Sequence, residues 1–158
     1  MVDAFRRSGA ADGAFDNLAA RRLGVNPTDL QCVSIIQRRD GLTAGELAAE
    51  AGLTSGAVTG VVDRLERAGY ARRVRDPADR RKVMVEVTPA FGAAAGEIWG
   101  PVKEDWDALL AGRFTAGQLD VVLDFLRATT ELSTRHAARL EGVTSPASRL
   151  SRASRPRA

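Results

Sequence analysis

Between Arg64 and Lys82 the chain carries eight Lys or Arg residues against Glu66, Asp76 and Asp79, a local charge of +5. Guanidinium and ammonium groups gathered this way suit one kind of chemistry, the electrostatic holding of phosphate oxygens with release of their counterions. The whole chain of 158 residues has 23 basic and 20 acidic side chains, a net charge of +3. Four arginines, Arg149, Arg152, Arg155 and Arg157, lie in residues 142–158 without any acid, which leaves the body at 19 against 20, or −1. The basic character is therefore local, and its position says more than the isoelectric point does.

Bond-making chemistry has little to work with. His136 is the single histidine and Cys32 the single cysteine, and neither has a carboxylate pair, thiol or nucleophile elbow at useful spacing. Neither a metal site nor an acyl-transfer triad is expected. The run G-L-T-S-G at 52–56 lacks the lysine of a phosphate-cradling loop. We expect no catalytic residue, no cofactor and no metal ligand, and so no enzyme. Cys32 falls in an apolar pattern, where packing is the ordinary role of a lone thiol.

The elements that must position the basic cluster follow from periodicity and capping signals. Residues 1–9 are expected to fray, and a first helix to cover Ala10 to Leu23. Asn26, Pro27 and Asp29 form a helix start, since Asn caps free N–H groups, Pro suits the first helical position and an acid suits the positive helix end. Leu30, Cys32, Val33, Ile35 and Ile36 give a buried second helix to about Arg39, closed by Asp40 and Gly41. Thr43 and Glu46 form a capping box, with Leu42 and Leu47 at the positions of a hydrophobic staple, and predict a third helix over 44–51. Thr54 caps a fourth helix whose inward set is Val58, Val61, Val62 and Leu65 and which stops at Gly69. The third and fourth helices are joined by about three residues including Gly52, the helix-turn-helix spacing.

Tyr70 to Val74 and Val83 to Thr88 read as two short strands around a polar, Pro-bearing loop, a hairpin wing in which Val83, Val85 and Val87 alternate with Met84 and Glu86. Thr88 and Pro89 open a long helix with Phe91, Ala95, Ile98, Val102, Trp106 and Leu109 on one face. Thr115 and Gln118 box a last helix, stapled by Phe114 and Leu119, that carries Val122, Leu123 and Leu126 toward Leu140. Beyond Gly142 the Ser, Pro and Arg composition predicts a disordered basic tail over 141–158. The tail can add nonspecific DNA affinity or serve as a solubilising end. No run of eighteen apolar residues and no apolar signal core occur, so we expect no membrane association and a cytoplasmic location. The fold class is thus mainly α (α+β), a winged helix-turn-helix over 26–88 flanked by helices at 10–23 and 89–140.

The motifs T-x-x-E-L-A from Thr43, V-D-R-L-E-R-A-G-Y from Val62, D-P-A-D-R-R from Asp76 and V-x-V-x-V-T-P from Val83 resemble the MarR family of bacterial transcription regulators, over roughly residues 10–140. The first helix reads shorter than the family's, and the arginine-rich tail lies outside its pattern. The resemblance implies a homodimer interlocked through its terminal helices, with recognition helices in successive major grooves of a pseudo-palindromic double-stranded DNA site and wings in the flanking minor grooves. It also implies a repressor that responds either to a small aromatic or phenolic effector held between the dimerisation helices and the winged helix or to an oxidant sensed through cysteine, and the residues specify neither. The residues agree with a dimer, because an apolar stripe on two long helices attached to so small a globule needs a partner to cover it.

With the valines and Leu65 turned inward, the fourth helix presents Ser55, Gly56, Thr59, Gly60 and Asp63 outward, from the end that recognition helices push at base edges. Ser55 and Thr59 can bond bases or phosphate, or Ser55 can share in capping. Gly56 and Gly60 each cost roughly 1 kcal/mol relative to Ala, which asks for a close approach of something bulky, unless they reflect drift. Arg64 and Arg75 are the expected phosphate contacts among the flanking arginines. By resemblance, Asp79 orients Arg81 into the minor groove and Arg80 meets phosphate; the alternative is an exposed turn with a weak ion pair. A second function class stays open on the residues alone, a winged-helix interaction module whose basic wing binds an acidic protein partner.

Overall fold

The computed structural model describes residues 1–141. The expected basic tail lies, from residue 142 on, outside the described residues. The elements are α1 (Val2–Leu23), α2 (Pro27–Arg38), β1 (Leu42–Thr43), α3 (Ala44–Ala51), α4 (Ser55–Arg67), β2 (Ala71–Arg75), β3 (Val83–Val87), α5 (Pro89–Arg113) and α6 (Ala116–Glu141). They fall into two compact units, Met1–Glu104 and a second that begins at Asp105, with the boundary within α5.

Residues 2–9, expected to fray, are helical: the helix begins at Val2, is 22 residues long and continues without a break into the predicted segment. Its first turns bury nothing, so an apolar period could not reveal them. They are held by local bonds: the Phe5 amide donates to the Met1 carbonyl at 3.0 Å, and Arg7 pairs with Asp3 at 2.9 Å across one turn.

In the first unit the caps read from sequence hold the helices in place. Asn26 Oδ1 accepts the Asp29 amide at 2.8 Å, with Pro27 in the first turn of α2. At α3 the Thr43 amide donates to Glu46 Oε2 at 2.8 Å and the Glu46 amide to Thr43 Oγ1 at 3.2 Å. These bonds hold the Glu46 carboxyl below its ordinary value. The box is therefore complete above the usual carboxylate range and is lost as pH falls through that lowered value. Leu42 and Leu47, the staple, are both buried.

The one element the periodicity missed is β1. A cap residue already has extended dihedrals, and Thr43 at φ −71 and ψ 157 is no exception. The two residues before α3 therefore offer a strand edge, too short for any alternation to be legible. Leu42 pairs with Val85 and Thr43 with Met84, giving the sheet order β1-β3-β2. The β2–β3 hairpin runs in register from Ala71 opposite Val87 to Arg75 opposite Val83. Only the middle of the expected valine trio is buried. Val85 lies over the core, whereas Val83, next to the hairpin loop, is 49% exposed.

Ile36 of α2, Leu47 of α3, Val58, Val62 and Leu65 of α4, Val85 of β3 and Phe91 of α5 close one core. Tyr70 ties the wing's base to it, with its hydroxyl donating to the Leu23 carbonyl at 3.1 Å and its ring meeting Phe91 edge-on at 5.7 Å. Phe15 of α1 meets Trp99 of α5 in the same way at 6.1 Å. In the second unit the Thr115–Gln118 box forms, the Thr115 amide donating to Gln118 Oε1 at 2.8 Å. None of the described α6 side chains is buried. No helix of the described residues is long and apolar enough to cross a membrane. Leu47→Ala empties a fully buried site at the α3–α4 junction, and urea denaturation is expected to register a loss of about 2–5 kcal/mol.

Candidate nucleic-acid interface

The orientation of α4 decides what the surface can do. Burial of Val58, Val61, Val62 and Leu65 leaves Ser55, Gly56, Thr59 and, half-buried, Gly60 on the outer side. The turn before it is tight: Gly52 takes φ 65 as the left-handed end of α3, a conformation that glycine adopts without strain. Thr54 is the N-cap, its Oγ1 accepting the Ala57 amide at 3.3 Å. Ser55 is then the first helical residue and not the cap, which closes the capping alternative for it. The Thr59 hydroxyl donates to the Ser55 carbonyl at 3.0 Å and keeps its lone pairs for an outside donor.

The two glycines differ in their surroundings. A Cβ on Gly60 would lie 3.4 Å from Arg64 Nη1, whereas one on Gly56 would meet nothing within 4 Å. Among the described residues no packing demands glycine at 56.

Half of the basic cluster is neutralised within the protein. Arg72 pairs with Glu86 at 3.0 Å across the hairpin. Arg73 reaches Asp63 at 2.7 Å and also Glu66, its amide bonding Glu66 Oε1 at 2.9 Å. Hydrogen bonding to Asp63 is the chief cause of the rise in the Arg73 guanidinium's pKa. Arg64, expected as a phosphate contact, donates to Asp29 from Nε at 2.9 Å and from Nη2 at 2.7 Å. Its pKa is raised, chiefly by that bonding. Among the described residues Arg67, Arg75, Arg80 and Lys82 have no carboxylate within ion-pair distance. Arg75, Arg80 and Lys82 lie at the end of β2 and in the loop before β3, and all three are exposed.

That loop is internally built. Asp76 Oδ1 accepts the amides of Ala78 at 2.7 Å and Asp79 at 3.2 Å, and the Lys82 amide donates to the Asp79 carbonyl at 2.8 Å. Asp79 Oδ1 accepts the Arg81 amide at 3.1 Å and pairs with Arg81 Nε at 3.4 Å, while the Arg81 side chain is 94% exposed. So open a pair adds little stability; what it does is bias the direction of a long side chain at the tip of the wing.

Asp29 is the residue that sequence reasoning missed. Its place at a helix start accounts for an acid there, but Asp29, Val33 and Ile36 also fall at steps of four and three on the inward stripe of α2. An acid on that stripe must find a partner. The signal was present; the identity of the partner, 35 residues away, was not. Cys32, next to this pair, is buried and its thiol is pushed up in pKa chiefly by burial, which disfavours the reactive thiolate. Among the described residues no group of three or more His, Cys, Asp or Glu side chains is placed to hold a metal ion.

A separate cleft of about 470 Å³ lies between α2 and α5, lined by Ser34, Gln37, Phe91, Ala95, Trp99 and Lys103 among others. It carries Trp99 but not Trp106, which belongs to the second unit and is 56% exposed.

Gly56→Ala separates the helix's needs from those of the surface. It is expected to raise stability by about 0.5–1 kcal/mol in urea denaturation, while a gel-shift titration registers weaker binding to duplex DNA.

The chain matches the MarR family model over residues 23–82. It is 34% identical over 140 residues to an uncharacterised HTH-type transcriptional regulator, YcgE of Bacillus subtilis, covering 89% of this chain and 90% of that protein. It is 31% identical over 102 residues to the HTH-type transcriptional repressor NicR of Pseudomonas putida, covering 63% of this chain and 64% of that one. In fold it is similar to a crystal structure of MarR, with a TM-score of 0.60 at 24% identity over 88% of this chain and 94% of that chain. It is similar as well to a mutant MarR from E. coli complexed with operator DNA, with a TM-score of 0.55 at 21% identity over 80% and 91%. The helix-turn-helix, the wing and the relatives converge: this chain belongs to the MarR family of winged helix-turn-helix transcriptional regulators.

Proposed function

We propose that this regulator acts as a homodimeric repressor on a pseudo-palindromic operator and leaves the DNA when a small aromatic or phenolic molecule binds. The observation that carries the DNA half of this reading is the outer face of α4, where Ser55, Gly56, Thr59 and Gly60 lie open with no bulky or acidic side chain between Ser55 and Gly60. Such a face lets the helix backbone approach base edges closely, and leaves selectivity to methyl contacts, water and DNA shape. Arg75 and Arg80 are free to meet phosphate, and Arg81, biased by Asp79, is free to enter a minor groove. NicR is named a repressor and a MarR structure holds operator DNA, which favours the same direction here.

A second copy is called for by the apolar surface that one chain leaves in water: Trp106, Leu109, Leu123, Leu126 and Leu132 are all exposed. A dimer that covers them stabilises the helices by removing that area from solvent. The cleft beside Trp99, within the volume range of small-molecule sites, is where an aromatic effector fits best.

Arg81→Ala is expected to weaken binding to a selected operator fragment by about 1–3 kcal/mol in gel-shift titrations while sedimentation still finds a dimer; unchanged affinity removes Arg81 from the interface. If the wing binds an acidic protein and not DNA, the wild-type protein will fail to bind any duplex even in dilute salt. Leu126→Asp is expected to weaken self-association by about 10- to 100-fold in analytical ultracentrifugation, because each copy then presents a charge where apolar area was to be buried. An unchanged dimer would place the contact elsewhere.

A further inference from the structure

Asp29 is the only charged side chain that is buried among the described residues, and it spends its carboxylate on Arg64. Three contacts join them: Nε to Oδ2 at 2.9 Å, Nε to Oδ1 at 3.2 Å and Nη2 to Oδ1 at 2.7 Å. A guanidinium has five N–H donors in a rigid plane. Two donor nitrogens face Asp29, and Nη1 has no partner among the described residues. The side chain of Arg64 is 44% exposed while that of Asp29 is 2% exposed, so the acid is covered and the unspent edge of the base is not.

The direction of that edge is defined. Nη1 lies against Gly60, 3.4 Å from where a Cβ would be. Gly56, Gly60 and Arg64 repeat at steps of four along α4. With Asn26, Pro27 and Thr28 at the start of α2, they line an open groove of about 460 Å³ on the outer side. An arginine free in water must give up rotamer freedom to hold an anion, whereas Arg64 has already done so on folding. A long side chain fixed by a covered acid, its free N–H groups aimed along a glycine-lined groove, is a preorganised anion donor.

We propose that Asp29 is a positioning residue for DNA binding: its buried carboxylate locks the Arg64 guanidinium so that the Nη1 edge is presented across Gly60 to a backbone phosphate. This rests on the reading of α4 as the helix that faces DNA. It also runs against simple charge counting, in which an acid close to the interface only repels the duplex and its removal tightens binding.

The test uses the full chain and a labelled random-sequence duplex of about 30 base pairs, roughly three helical turns, titrated between about 50 and 200 mM salt. Arg64→Ala is expected to lower the salt slope by roughly 0.9 for each subunit bound. Asp29→Asn keeps the size of the side chain and the charge of Arg64 but loses the two-oxygen clamp. It is expected to weaken binding about tenfold or more, although it removes a negative charge from each subunit. Arg64→Lys keeps the charge without the planar fork, and is expected to bind within about threefold of Arg64→Ala. Thermal melts of each variant identify loss of fold, and Arg64→Lys decides the matter if Asp29→Asn does not fold. Wild-type affinity in Arg64→Lys, or unchanged or tighter binding by folded Asp29→Asn, overturns the proposal while leaving the DNA reading intact. A wild-type protein that does not bind the duplex at any salt overturns both.

Discussion

The first unit depends on one constraint, the burial of the inner stripe of α4. Val58, Val61, Val62 and Leu65 have no exposed alternative that costs less than returning four aliphatic side chains to water. Once they are seated against α2, α3 and β2, the rotation of the helix about its own axis is settled, because neighbouring side chains on a helix are separated by a fixed angle. The open face of Ser55, Gly56, Thr59 and Gly60 is then a geometric consequence. Capping at Thr43 and Thr54 and the left-handed turn at Gly52 fix the angle between the two helices at the same time.

Charge is sorted by the same packing. In the linear sequence the eight bases between Arg64 and Lys82 look equivalent, but in the fold they divide by where their backbones lie. Arg73 stands close enough to α4 to meet Asp63 and Glu66, and Arg72 faces Glu86 across the hairpin. The Arg73 pairs join the wing to α4, and the Arg72 pair joins its two strands. Arg75, Arg80 and Lys82, at the outer end of β2 and in the loop, have no carboxylate within ion-pair distance among the described residues, whereas Arg81 is paired with Asp79. The electrostatic footprint is therefore narrower than composition implies, and it is concentrated in the wing.

The second unit obeys a different balance. Its apolar residues also follow a helical period, yet in one chain they remain in water. The same pattern that signifies a core in α2 or α4 signifies an unfilled surface in α6. The difference lies in what is packed against the helix, a property that no single helix encodes.

Much was legible in the residues themselves. Caps, staples, glycine stops and the period of the valines determined α2, α3, α4, the hairpin and the two long helices, since those signals act within one or two turns of chain. The start of α1 escaped because residues held by local bonds and one exposed ion pair leave no apolar period, and β1 escaped because two residues cannot show an alternation. Only the tertiary structure decided which arginines are spent and which are free. It alone brought Asp29 to Arg64 across 35 residues, buried Val85 while leaving Val83 exposed, and formed the cleft beside Trp99. The physical reason is range: caps and turns are satisfied by neighbours in sequence, whereas a buried charge or a pocket is satisfied by groups that only the folded chain brings within a few ångströms.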